Sequence, residues 1–169
     1  MAEDYKMIML EPHEVYIVEE TDFSGLNSVG MRLFLYNVKN SDKVGLGFVR
    51  ESPEILKSRF KTSESKFELY WLNAQDVNES KKAIFADGLE HIKRVSLAFA
   101  EEQKENGVIY SDALTYLVQH NGFEKVIRSV KNKFYDLAKI HGTTVIFSIR
   151  PDTFDSKELA NLEVYLKKL

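Results

Sequence analysis

The chain has 169 residues, 44% of them apolar and 29% charged, with 11 Phe, 8 Tyr and a formal net charge of -3. That length suits one domain with a substantial core, and the composition is that of a globular protein and not of a disordered tail. The absence of cysteine excludes a disulfide framework, a Cys-ligated metal and thiol chemistry, and the net charge gives no global attraction to nucleic acid or anionic membrane. No run approaches the ~20 apolar residues that span a bilayer, and Glu3 and Asp4 stand where a signal peptide would be basic. The expectation is a soluble, cytoplasmic protein. The four His, at 13, 91, 120 and 141, form no H-E-x-x-H pair.

In chain order, residues 1–13 read as an N-terminal extension and 14–169 as a single domain. Glu14–Glu19 (EVYIVE) is a β-branched and aromatic run closed by polar residues, hence a first strand. Leu26–Asn40 places Leu26, Val29, Leu33, Phe34 and Val38 at helical spacing. Val44–Val49 (VGLGFV) is apolar throughout, as in a strand covered on both faces, and its two glycines allow close approach of a helix. Ser52-Pro53-Glu54 supplies a cap, a Pro at the first helical position and an acid in the first turn for a helix over Pro53–Phe60.

Phe67–Leu72 (FELYWL) reads as a third strand, and Asn73–Lys82 as a long loop. A helix is expected from Ala86 to Lys104, then a strand at Val108–Tyr110, a short helix over Ala113–Gln119, and a turn at His120-Asn121-Gly122. Phe123–Ile140 is the cleanest amphipathic helix, ended by His141-Gly142; Thr143–Ile149 is the fifth strand. Asp155 or Ser156 caps a last helix running through Leu159, Leu162, Leu166 and Leu169. Strands alternating with helices call for a three-layer α/β domain with a mostly parallel, about five-stranded sheet flanked by helices. In such sheets ligands sit at the carboxyl ends of the strands, which makes Glu19, Glu20, Thr21, Arg50, Glu51, Asn73, Asp112, Arg150 and Asp152 the rim of interest.

Three segments carry a resemblance: Val44–Glu54 (VGLGFVRESPE), Tyr70–Asn73 (YWLN) and Gly107–Phe123 (GVIYSDALTYLVQHNGF). They resemble an archaeal domain-of-unknown-function family, number 835, over about Val15 to Leu169. The resemblance implies a setting in signalling, since such domains often stand beside sensor and kinase modules. The same segments are more distantly similar to KaiC-like and RecA-like ATPases, and Val108–Thr115 (VIYSDALT) matches a strand-end motif of theirs. That likeness implies a RecA-like fold, a magnesium-holding role for Asp112, and a catalytic acid where this chain has Arg50. The pattern breaks at the phosphate loop. G-x-x-x-x-G-K-[ST] uses glycines to wrap backbone N–H groups round the phosphates and a Lys for their charge, whereas Glu19–Ser28 reads EETDFSGLNS, with no Lys and three acids. A cation at position 50 cannot act as the base. The expected fold is thus RecA-like with a degenerate P-loop, and hydrolysis of ATP is not expected.

The candidate ligand-binding residues are Arg50, Glu51, Asp112 and Arg150. Arg50-Glu51 can anchor an anion or form a salt bridge at the sheet end. Asp112 alone could ligate a cation, its more ordinary role being the N-cap of the following helix, so no metal site and no cofactor is expected. Tyr70 and Trp71 read as core. Lys125, Arg128, Lys131, Lys133 and Lys139 make the fifth helix basic, and Lys125, Arg128 and Lys131 are the candidate partner-binding residues. The functional expectation is a non-catalytic signalling module that binds a protein partner or a second copy of itself, as a homodimer, and neither nucleic acid nor membrane. The alternatives are a small-molecule or nucleotide sensor at the strand ends, and an enzyme of unrelated chemistry.

Overall fold

The computed structural model describes residues 6–21, 28–60, 66–72, 82–84 and 88–169. The elements are β1 (Val15–Glu19), α1 (Val29–Lys39), β2 (Val44–Val49), α2 (Pro53–Phe60), β3 (Phe67–Leu72), β4 (Ala83–Ile84), α3 (Leu89–Gln103) and β5 (Gly107–Ser111). There follow α4 (Leu114–Asn121), α5 (Phe123–Ser129), a π-helical turn over Val130–Phe134, α6 (Tyr135–His141), β6 (Thr144–Ile149), α7 (Ser156–Glu163) and β7 (Lys167–Lys168). The expected loop Asn73–Lys82 and the expected helix starts at Leu26 and Ala86 lie largely outside the described residues.

One sheet orders the strands β4-β3-β2-β5-β6-β1-β7, and every neighbouring pair is parallel. It has seven strands where the sequence suggested about five. The two additions are two-residue edge strands, β4 and β7, too short to show any periodicity. β7 corrects the expected last helix: α7 stops at Glu163, and the chain turns back so that the Leu169 N–H reaches the Ile17 carbonyl at 3.0 Å. The open edge of β1 offered hydrogen bonds that a longer helix would have left unmade.

Both faces of the sheet are covered, which explains why β5 and β6 are buried at every position. On one face Tyr16, Val18, Val108, Tyr110 and Ile146 pack against Leu33, Phe34 and Val38 of α1 and Leu56 of α2. Gly45 is needed there: a Cβ would stand 2.5 Å from Phe34 Cζ, and Phe34 stacks on Tyr110 with ring centroids 5.5 Å apart. Burying a ring of this size contributes about 2–3 kcal/mol. On the other face Ile17, Leu46, Phe48, Ile109, Val145 and Phe147 meet Ile92 of α3, Leu114 and Leu117 of α4, and Val126, Val130, Phe134 and Leu137 of the helix that follows.

Residues 6–13, read as an extension, pack across α1. Leu10 is buried, its N–H donates to Asn37 Oδ1 at 2.7 Å, and Asn37 Nδ2 donates to the Ile8 carbonyl at 3.0 Å. Among the described residues no helix is long and apolar enough to cross a membrane.

Candidate functional site

The carboxyl ends of β1, β2, β5 and β6 converge on a polar rim beside the N-terminus of α1. Glu20, one residue past β1, is held by its own N–H to the Ile149 carbonyl of β6 at 2.9 Å and is 8% exposed. Its carboxylate accepts from the Val29 N–H and the Gly30 N–H, each at 2.9 Å, and from the Ser148 hydroxyl at 2.7 Å. Ser28 caps α1 and accepts from the Met31 N–H at 3.2 Å. The free N–H groups of the first turn, which form the positive end of the helix dipole, are therefore engaged by the protein's own side chains. Tyr110 completes the cluster, donating to Ser148 Oγ at 3.2 Å and lying 3.3 Å from Ser28 Oγ. Gly30 is required by this packing, because a Cβ there would lie 1.9 Å from Ser148 Oγ.

Asp112, just past β5, accepts from the Arg50 N–H at 3.0 Å. Burial strips water from its carboxyl and pushes its pKa up to about 7, an effect reinforced by the charge of Glu20 and opposed by N–H donation from Arg50 and from its own backbone. Burial, with the Asp112 charge behind it, also pushes the Tyr110 phenol well above its ordinary range. The expectation that Asp112 caps the next helix is corrected: α4 begins after Ala113 without a side-chain cap, and the Ala113 N–H is taken by Ser111 Oγ at 3.1 Å. The Arg50 N–H competed for the same carboxylate and ties the end of β2 to the end of β5.

Arg50 and Glu51 do not pair. The Arg50 guanidinium donates to the Leu72 carbonyl at 2.6 Å and lies 3.4 Å over the Tyr116 ring, while Glu51 accepts from Arg59 Nη1 at 2.6 Å. Trp71 closes this corner by donating from Nε1 to the Arg50 carbonyl at 3.2 Å, and Tyr70 stacks on Phe48. Arg150 follows β6 and is exposed; its carbonyl accepts from Thr153 Oγ1 at 2.7 Å. Glu19 pairs with Lys168 at 3.1 Å, and Asp22 and Asn73 lie outside the described residues. Among the described residues no three His, Asp or Glu side chains come together as a metal site.

The basic face is a second, separate feature. Phe123–His141 is not one α-helix, as its periodicity suggested, but two joined by the π turn, in which the Tyr135 N–H reaches back to the Val130 carbonyl. Lys125, Arg128 and Lys133 line a cleft of about 440 Å³ with Lys93 and Glu90 of α3 and Glu124. Lys131 is not part of it: its ammonium sits 4.4 Å over the Tyr165 ring. Lys139 pairs with Glu14 at 3.4 Å. Sequence reasoning thus found Lys125, Arg128 and Lys133 on one side of this cleft and missed Glu90 and Lys93 on the other, because α3 is far from α5 in the chain.

A family model described as a protein of unknown function (DUF835) matches residues 28–166. The chain belongs to this family. The DUF835 match includes Arg50, Asp112 and every residue of the basic cleft, and it begins at Ser28, the cap of α1. No curated protein matches the chain. Among solved structures, a protein of Pyrococcus horikoshii OT3 is similar at 13% identity with a TM-score of 0.59, over 94% of this chain and 81% of that one. At that identity the likeness is one of fold.

Proposed function

We propose that this DUF835 domain is a non-catalytic signalling module that acts by binding protein, on a RecA-like fold whose phosphate seat has degenerated. One observation carries the reading: the Glu20 carboxylate accepts the Val29 and Gly30 N–H groups at 2.9 Å. The N-terminus of a helix after the first strand is where such folds hold phosphate oxygens, and here the anion is part of the chain. A nucleotide would have to displace a buried charge-assisted cluster and face Glu20 besides. Two further residues support the same conclusion. Asp112, at the magnesium-holding position of the resembling ATPases, is partly protonated near neutrality and so a poor ligand for a hard cation. Arg50, at the position of their catalytic acid, is committed to Leu72 and Tyr116.

Isothermal titration of the purified chain with ATP, ADP and GTP in the presence of magnesium tests this. No heat of binding and no phosphate release up to millimolar nucleotide is the expected result. Micromolar binding would replace this reading with a nucleotide sensor, and turnover abolished by Asp112→Ala would replace it with an enzyme.

A further inference from the structure

The cleft of about 440 Å³ between α3 and α5 runs into a second of about 240 Å³ between α3 and α6, and both are lined by Glu90, Lys93 and Lys133. We infer that this continuous groove is the docking site for an acidic, amphipathic segment of a partner protein, an inference that rests on the interaction-module reading above.

Charge is the first reason. Lys93, Arg94, Lys125, Arg128 and Lys133 line the two clefts against Glu90 and Glu124, so the groove is cationic on a chain whose net charge is -3. Glu90 is already held by Lys93. Arg94, Lys125, Arg128 and Lys133 have no ion pair among the described residues, and five cations face two carboxylates across the two clefts. Such a face draws acidic partners in and orients them.

The second reason is the floor. In the smaller cleft Leu97 is 43% exposed beside Phe134 and Leu137, giving apolar side chains of a partner a place to leave water. At its foot the Ser96 hydroxyl is buried with no hydrogen-bond partner among the described residues. The π turn supplies Lys133 to both clefts and Asn132 to the larger one, and π turns inside α-helices are frequently found at functional sites. Cations around an apolar floor complement an amphipathic helix with separated carboxylates, the helix-in-groove mode. A nucleic-acid strand fits less well, since Glu90 and Glu124 interrupt the cationic row and phosphates follow one another without a break.

The test is fluorescence anisotropy of the full chain with a labelled helical peptide of about 18 residues, five turns, carrying Glu and Leu at i, i+4 spacing. A Gln-for-Glu peptide and a single-stranded oligonucleotide of equal charge serve as comparisons. The Glu peptide is expected to bind at least about tenfold more tightly than the Gln peptide, to weaken by about tenfold with Arg128→Glu/Lys133→Glu, and to weaken with added salt. Leu97→Ser is expected to weaken it independently of salt. Equal binding by wild type and the double variant, no preference for the Glu peptide, or tighter binding of the oligonucleotide through the same residues would overturn the inference. The nucleotide titration is read at Glu20 and Asp112, on other elements, so failure of the docking site and failure of the module reading are separate results.

Discussion

The strand-end rim and the helical groove hold comparable numbers of charged groups and use them in opposite ways. At the rim most of the polar groups are engaged within the chain: Glu20 takes two N–H groups and a hydroxyl, Asp112 takes the Arg50 N–H, and Arg50 is spent on Leu72 and Tyr116, while Glu19 Oε1 and Tyr116 Oη have no hydrogen-bond partner among the described residues. In the groove, Arg94, Lys125, Arg128 and Lys133 have no ion pair among the described residues. A polar cluster satisfied from within stabilises a fold and has little left for a ligand, whereas one left open contributes little to stability and keeps its interactions for a partner. Perturbation should therefore be costly to the fold at the rim and nearly silent in the groove.

The largest effect is expected at Gly30. Gly30→Ala puts a methyl 1.9 Å from Ser148 Oγ and 2.9 Å from Tyr110 Cε2, and urea denaturation should show a loss of roughly 3 kcal/mol or more. A near-neutral result would mean the rim is looser than its hydrogen bonds imply. Glu20→Ala comes next, leaving the Val29 and Gly30 N–H groups and the Ser148 hydroxyl without their acceptor, with an expected cost of about 2–4 kcal/mol. Glu20→Gln keeps one acceptor oxygen and should cost less than the alanine variant in the same denaturation series.

Asp112 sharpens the comparison through pH. Its pKa is raised from 3.8 to about 7 in the folded chain, so the folded state binds the proton more tightly than the unfolded one. The resulting stabilisation is fully present below about pH 4 and is lost as pH rises through 7. Thermal melts from pH 5 to 8 should show wild type losing stability, and Asp112→Asn, whose Oδ1 still accepts the Arg50 N–H, should be flatter and more stable at pH 8 by at least roughly 1 kcal/mol, about 3 °C. An unchanged slope would place the carboxyl in water. The smallest effect belongs to the groove: Arg128→Glu/Lys133→Glu should alter unfolding free energy by no more than about 0.5 kcal/mol per site, as measured in the same urea series. A larger loss would make the cations structural and bring the two regions closer in kind.

Much of the fold was legible because its signals are local. The run VGLGFV at Val44–Val49 and the Pro53 start of α2 stand where the residues put them. The Asp155 cap of α7 is matched by a capping box with Glu158, and Gly142 takes the left-handed turn that ends α6. The rim was legible in part. Its acids were visible after β1, and their hostility to phosphate followed from charge alone. That Glu20 would cap α1 was not visible, because the cap joins Glu20 to N–H groups nine and ten positions on and closes on Ser148, 128 positions away in the chain.

What the sequence by itself determined is the alternation of strands and helices, the parallel sheet covered on both faces and the absence of a phosphate loop, all set by periodicity, caps and residue type within a few positions. The tertiary structure alone decided the edge strands β4 and β7, the diversion of Asp112 from the helix cap to Arg50, the π turn, and the meeting of Lys93 and Arg94 with Arg128 and Lys133. Each of these depends on a partner distant in sequence, and hydrogen-bond satisfaction between distant backbones and side chains leaves no periodic mark on the chain that carries it.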